Sequence, residues 1–505
     1  MFNFQRGCLV LLAGFLWLAP AGARGQVDTT FTQTAPPTPV GSGARAMGTG
    51  GAFIAIADDA TAANWNPGGM IQLIIPEVSA VYSYDQRWVE GADASVNALN
   101  HASLVYPFNV AGVNVVTSLN YQRLYNFYFQ GSTSELVRIS DYTVTIADPL
   151  GPPPVVFINE TRTTYPFSMS SKKTGYLETL SPAVAVEITP RLSLGFAYNF
   201  WNDNWMGAGY REEYKEKQGA GETTITDGPY TITGDFSNCT CNGGGPCNDL
   251  GDVLDDPSCL DSATVIPGTT ASSSSELDAI KIKGREDIDM AGENFTIGLL
   301  WKFDPQWTLG LVYRSEFGLK QKRKVTYSYA GFDPPRDKFK WSYDETLRMP
   351  ASYGVGLAYR HSDELSFAFD ATRTEWNRFQ LELDGGDKIS PVNGLPIKDA
   401  DISPTWTYRL GMEYLLIQPR YVVPLRCGFF YDPEPDKGRP DDYYGVAAGG
   451  GMVYDRFILD FAYWYRWGND VTLYTTYDRT TGDYEKVKGD VGQQMFMVSI
   501  VMHVQ

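Results

Sequence analysis

From Phe457 onward every second residue is large and apolar: Phe457, Leu459, Phe461, Tyr463, Tyr465 and Trp467. The positions between them include Asp460, Ala462 and Arg466. Successive residues of an extended strand point to opposite faces, so one face here is continuously apolar and the other carries small and charged groups. A greasy exterior backed by inward charge is the reverse of a water-soluble strand. It suits a closed sheet whose outside meets lipid and whose inside meets water or a plug.

The alternation recurs in about fourteen runs, near 77–88, 99–108, 112–127, 175–188, 192–206, 291–304, 307–329, 339–360, 364–383, 403–416, 420–432, 442–454, 457–468 and 488–504. Most reach the roughly 9 to 11 residues that a tilted membrane strand needs. Leu192, Leu194, Phe196, Tyr198 and Phe200 oppose Ser193, Gly195, Ala197 and Asn199, and Trp406, Tyr408, Leu410, Met412 and Tyr414 oppose Thr407, Arg409, Gly411 and Glu413. Tight turns at Pro107-Phe108-Asn109, Thr189-Pro190-Arg191, Asp304-Pro305-Gln306, His361-Ser362-Asp363, Gln418-Pro419 and Tyr454-Asp455-Arg456 alternate with longer polar links. That parity is the mark of an outer-membrane barrel with short periplasmic turns and longer outer loops. A soluble β-sandwich also buries one strand face, but it explains neither the strand lengths nor the parity. The fold expected is therefore all-β: a transmembrane antiparallel barrel of about fourteen strands over 77–505 in the bacterial outer membrane, with long extracellular loops at 128–174 and 207–290.

The N-terminus agrees with export. Arg6, the apolar stretch Cys8 to Ala19 and the small residues Ala21 to Gly25 read as a secretory signal over 1–25. Residues 26–40 form a Pro-rich polar arm, and 41–76 are Gly- and Ala-rich, too small and irregular for an independent domain. Aromatic residues make up 14% of the chain, with 31 Tyr and 12 Trp, as bilayer interfaces require. A net charge of −18 without a basic stripe argues against nucleic acid as a partner. In an exported chain the clustered Cys239, Cys241, Cys247 and Cys259 read as two disulfides, with connectivity open and a metal site as the lesser reading.

The run Gly43-Ala44-Arg45-Ala46-Met47-Gly48-Thr49-Gly50-Gly51-Ala52-Phe53, continuing through Asp58-Asp59 to Asn64-Trp65-Asn66-Pro67-Gly68-Gly69-Met70, resembles the hatch of the outer-membrane long-chain fatty-acid and hydrocarbon transporters (FadL-like). The blocks Met349 to Leu357, Thr374 to Phe379, Arg409 to Tyr414 and Pro424 to Asp432 are similar to the same family. The resemblance implies a fourteen-stranded monomeric barrel stoppered by an N-terminal hatch at 41–76. It implies apolar ligands caught at an outer groove, passed to an inner pocket, and released sideways into lipid or lipopolysaccharide surroundings once the hatch rearranges. Gly43, Arg45, Gly48, Gly50, Gly51, Asp58, Asp59, Asn66 and Pro67 would then serve hatch and gate. Phe31, the aromatic of the arm, would approach the ligand pocket. Two other readings stand beside transport: a barrel that partners protein secretion, and an open diffusion porin.

Other chemistry finds little footing. Gly41-x-Gly43-x-x-Ala46 follows a Pro-rich arm rather than a strand, so no nucleotide fingerprint is read there. His101, His361 and His503 lack a nucleophile context, so no catalytic residue and no cofactor is assigned. The acidic cluster from Asp249 to Asp261 lacks calcium-loop spacing, and no metal site is assigned. Asp58 and Asp59 are expected to accept backbone N–H bonds or to face lumen arginines such as Arg314, Arg409 or Arg466, with Glu413 and Asp460 as further lumen charges.

Overall fold

The structure, a computed structural model, describes residues 41–89, 92–148, 155–202, 207–233, 264–267, 271–332, 334–477 and 484–504. Phe31, Cys239, Cys241, Cys247, Cys259, the signal and the arm lie outside the described residues.

Fourteen strands close a ring: β1 (Glu77–Val89), β2 (Ala92–Val110), β3 (Val113–Asn126), β4 (Val155–Thr189), β5 (Leu192–Asn202), β6 (Ile280–Trp301), β7 (Trp307–Arg314), β8 (Ser352–Arg360), β9 (Leu365–Thr374), β10 (Thr405–Ile417), β11 (Tyr421–Tyr431), β12 (Tyr444–Tyr454), β13 (Phe457–Tyr477) and β14 (Tyr484–His503). Each pairs antiparallel with the next, and β14 returns to β1 with Glu77 opposite His503. Closure leaves no unpaired sheet edge to face lipid, where an unmet N–H or C=O costs several kcal/mol. Each of the fourteen alternating runs in the sequence corresponds to one strand of this ring, but two of them divide: 307–329 breaks after Arg314 into β7 and a strand Phe317–Ala330, and 339–360 breaks after Met349 into a strand Phe339–Met349 and β8.

The two faces separate as the alternation requires. Leu104, Leu119, Phe196, Leu311, Val355, Phe369, Leu410, Phe429, Val446, Phe461 and Val498 are exposed on the outside. Their neighbours Ser103, Ser118, Ala197, Asp370, Arg426, Asp460 and Ser499 are buried on the inside. Aromatic rings collect at both ends of the apolar band. Trp406, Tyr408, Tyr431, Tyr444, Trp467, Tyr465 and Trp88 follow one another around the upper rim at 5.3–6.4 Å. Trp301–Phe303 and Trp307–Tyr359 mark the lower rim at 5.5 and 4.6 Å, as two water–lipid interfaces demand.

Three further expectations change. Pro107-Phe108-Asn109 is not a turn: β2 runs on to Val110 and reverses at Ala111-Gly112, both with positive φ (52° and 87°), the geometry of a two-residue hairpin turn. The segments 128–174 and 207–290, read as connecting loops, carry strands. Phe129–Asp148 pairs with the upper part of the 35-residue β4, and Ala208–Gln218 lies between β4 and β6. Above the lipid both faces of a strand meet water, so the apolar alternation that marks a membrane strand fades there while pairing continues. The run 364–383 breaks after Thr374, where a 3-10 turn, Trp376–Arg378, swings two aromatic residues off the strand line.

Residues 41–75 form no strand. Two short helices, α1 (Ala44–Gly48) and α2 (Ala62–Trp65), and a 3-10 turn (Pro67–Gln72) fill the lower bore. Ala46, Phe53, Ala57, Ala60, Ala62, Ala63 and Met70 are all but fully buried and pack on wall residues Val105, Val116, Ala183, Ala185, Ala197 and Val501. Alanine dominates because a helix and its surrounding wall must share one narrow cylinder.

Candidate functional site

The plug is accommodated by glycines that the alternation placed on the inner wall. A side chain on Gly48 would come within 3.0 Å of Gly449 Cα, and one on Gly50 within 3.2 Å of Gly428 Cα. Gly411 and Gly428 face Thr49, Gly310 and Gly356 face Ile54 and Ala55, and Gly195 and Gly298 face Asn66 to Gly68. On β5 to β8 and β10 to β12 backbone meets backbone, so at these positions no side chain larger than hydrogen fits. Gly50 and Gly51 also carry positive φ (69° and 78°), which lets the chain reverse against the wall. Gly43, with φ 86°, precedes α1 and leans on Thr61.

Wall side chains bind the backbone groups that short helices leave unpaired. Phe53 N–H and Ile54 N–H donate to Asp370 Oδ2 at 2.7 and 2.9 Å. Ala44 N–H donates to Ser499 Oγ at 2.6 Å, while Ser193 and Ser103 hydroxyls donate to the carbonyls of Gly68 and Ala60. Arg314 donates to the carbonyls of Asn64 and Trp65 (2.9 and 3.2 Å), the C-terminal end of α2, where the helix dipole favours a cation. Arg409 donates to Gly50 O at 3.1 Å. Asn66 accepts from Gly68 N–H and donates to Ile54 O and Leu299 O, tying the plug to β6, and Pro67 opens the following 3-10 turn.

Charge runs through the lower bore as an alternating chain. Arg45 of the plug meets Asp58 at 2.8 Å and Glu413 of β10 at 3.1 Å. Glu413 meets Arg426 of β11 at 2.5 Å, and Arg426 meets Asp460 of β13 at 2.6 Å. Burial alone would lower the Arg45 guanidinium, but Asp58 and Glu413 outweigh it and hold it well above its ordinary value. Burial pushes the Asp59 carboxyl up, against Arg45 and the Thr61 hydrogen bonds. Arg466 is fully buried over the Tyr443 ring and pairs with Glu434 at 2.7 Å.

The sequence-derived residues thus divide. Arg45, Asp58, Glu413 and Asp460 share one network. Asp58 and Asp59 do not meet Arg314, Arg409 or Arg466: Asp58 pairs within the plug, and Asp59 accepts from Thr61 N–H and Oγ–H at 2.8 and 2.6 Å. The two nearer arginines bind plug carbonyls instead, and Arg466 serves the 432–434 connection. Sequence reasoning missed Asp370 and Arg426; of the wall glycines it placed Gly195 and Gly411 on the inner face but not against the plug. Asp370 had a signal, a carboxylate on the small-residue face beside Phe367 and Phe369.

Above the plug the bore changes character. Leu177, Trp201, Ile288, Met290, Leu319, Leu347, Met349, Trp376 and Phe379 form one buried apolar cluster, joined by Leu124, Tyr125, Phe127, Tyr210 and Phe317. Trp201 stacks on Phe317 at 5.6 Å, and the 3-10 turn after β9 brings Trp376 against Phe379 at 5.4 Å. A small cavity of about 190 Å³ opens beside Trp376 and Phe379.

The wall itself splits next to this cluster. β2 and β3 are paired from Val110↔Val113 up to His101↔Gln122; higher, β2 pairs with β1 and β3 with β4. At the split β2 carries a bulge, so Asn100 and His101 stand side by side. Both are buried, and among the described residues both Asn100 amide atoms and His101 Nε2 have no hydrogen-bond partner.

Residues 176–504 match the family described as outer membrane protein transport protein (OMPP1/FadL/TodX). The chain belongs to that family. Among solved structures, the OMPP1/FadL/TodX member is similar to a Pseudomonas aeruginosa FadL homologue at 17% identity, covering 93% of this chain and 100% of that one with a TM-score of 0.54. It is also matched to the Pseudomonas putida toluene transporter TodX (14% identity, 93% and 100% covered, TM-score 0.47) and the Ralstonia pickettii toluene transporter TbuX (13%, 92% and 99%, 0.45). None of the curated proteins matches. The family places this barrel in the bacterial outer membrane, as a channel for hydrophobic compounds.

Proposed function

We propose that the protein carries hydrophobic small molecules, long-chain fatty acids or hydrocarbons, across the outer leaflet without an energy source, and that it works as a monomer without catalysis. The observation that carries this reading is the apolar cluster from Leu177 to Phe379 inside a barrel. The interior of a barrel that conducts polar solutes is itself polar. Aromatic and aliphatic side chains turned inward offer an apolar solute a place to leave water, worth about 25 cal/mol per Å² of its surface buried.

The route proposed enters from above, halts over the plug, and leaves sideways through the β2–β3 split. There the wall lacks its ladder, and Leu124 of β3 lines the cluster. Gly43, Gly48, Gly50, Gly51, Asn66 and Pro67 seat the plug closely, while Arg45 and Asp58 are its ionic latch to Glu413.

The test is uptake of labelled long-chain fatty acid, an alkane and a monoaromatic by cells or proteoliposomes with and without the protein, and with Leu124→Asp. Protein-dependent uptake of at least one apolar class, reduced several-fold by the charge at the split, is expected. Uptake independent of the protein, or a large ohmic conductance in planar bilayers, would sink this reading and favour an open porin.

A further inference from the structure

The chain carries a net charge of −18, yet one outward surface of the barrel's upper extension is basic. There β4, the Ala208–Gln218 strand, β6 and the Phe317–Ala330 strand extend above the apolar band. On β6 the lipid-facing positions run upward through Leu299, Ile297 and Phe295, and on the same face the strand ends in Lys283 and Lys281. Register sets Lys215 directly opposite Lys283 and Lys217 directly opposite Lys281. On the other side of β6, Lys320 and Lys322 stand opposite Ala291 and Asp289. All six lysines are exposed.

Two lysine pairs facing each other across adjacent strands repel, and a ladder tolerates this only at a cost. Of the nearby carboxylates, Glu213 stands opposite Arg285 and Asp344 opposite Lys322, away from the two opposed lysine pairs. Asp287 is held by Arg211 and Arg285 at 2.6 and 2.7 Å, and Asp289 by Lys324 at 2.8 Å. Among the described residues none forms an ion pair with Lys215, Lys217, Lys281 or Lys283. The opposed lysines present like charge to the outside, which suits an anion supplied by the surroundings.

Height decides which anion. With Trp301 at the lower rim, about 3.3 Å per residue, a tilt of about 40° and an apolar band about 25 Å tall, Lys320 lies near the upper edge of the band and Lys283 roughly 20 Å above it. The head-group layer of a bilayer adds only about 5 to 8 Å beyond the hydrocarbon. A glycerophospholipid phosphate therefore falls short of most of this surface, whereas phosphorylated sugars projecting from an outer-leaflet glycolipid span it. We propose that this face docks the phosphorylated glycolipid of the outer leaflet, with its phosphates lying between the opposed lysines as charge-assisted hydrogen-bond acceptors. The site is separate from the bore, so it stands whether or not the transport reading does.

The test titrates the full-length barrel in detergent with four probes: the intact phosphorylated glycolipid, the same glycolipid dephosphorylated, phosphatidylglycerol, and inorganic phosphate. The variants are K215Q/K217Q/K281Q/K283Q and, on the adjoining strand, K320E/K322E. Intact glycolipid should bind in a salt-dependent way, and both variants should weaken it roughly tenfold or more. Removing the opposed lysines should not lower the unfolding temperature measured without glycolipid, because a repulsion is relieved, and fatty-acid uptake should stay unchanged. Equal binding of the dephosphorylated glycolipid or of phosphatidylglycerol, competition by inorganic phosphate at matching concentration, or wild-type affinity in the variants would each overturn the proposal.

Discussion

Below His101 and Gln122 the bore is lined by glycine, serine and ion pairs that grip a plug; above them it is lined by tryptophan, methionine and leucine. The two halves use the same strands and the same alternation, yet they solve different problems. The lower wall must fit one fixed object, so it is built from backbone contacts and directional bonds, which tolerate little change. The upper wall is built from side chains that contact one another through dispersion and burial, which are non-directional and forgiving of shape. A hydrophobic passage needs the second kind of surface, and a closely seated plug the first.

That contrast can be broken most sharply at Arg426. Arg426→Met leaves Glu413 and Asp460 buried without their shared cation and should cost about 3–5 kcal/mol. It is read as a fall in the unfolding temperature of the purified barrel together with new channel current. A loss below about 1 kcal/mol would mean that the ion chain does not hold the lower bore. Next comes Gly428→Val, whose side chain would collide with the backbone of Thr49 and Gly50. A cost of about 1–3 kcal/mol in plug seating is expected, seen as faster proteolysis within 41–76. Cys427→Val, on the exposed neighbouring position of the same strand, should be nearly silent.

In the upper half Met290→Ser should leave proteolysis and conductance as in the wild type while lowering uptake of apolar substrate about fivefold, the equivalent of roughly 1 kcal/mol of lost burial. Should it loosen the plug as much as Gly428→Val, the two halves are one unit. The smallest effect belongs to Asp58→Asn. Its pair with Arg45 is partly exposed, with 34% of the Asp58 side chain accessible, so about 0.5 kcal/mol of latch strength is at stake. Bilayer recordings should show slightly more frequent brief openings and an unchanged unfolding temperature.

How far the sequence reached depends on which force set each feature. Strand number was legible because lipid outside and a confined lumen inside impose the same period-2 pattern on every wall strand, as in Leu192 to Phe200 and Phe457 to Trp467. The upper strands 129–148 and 208–218 were not, since water on both faces erases the pattern. The turn at Trp376–Arg378 was hidden for a related reason: its aromatic residues continue the apolar alternation in sequence while leaving the strand in space.

What the chain determined by itself is therefore the closed sheet, its greasy exterior, and the inward side of each strand, because these follow from neighbours in sequence. Only the tertiary structure decided that Asp370 holds Phe53 and Ile54, that Arg45 of the plug meets Glu413 of the wall, and that Gly428 lies under Gly50. Those contacts join residues more than three hundred positions apart. They depend on strand register and on the angle at which the ring closes, which no local pattern encodes.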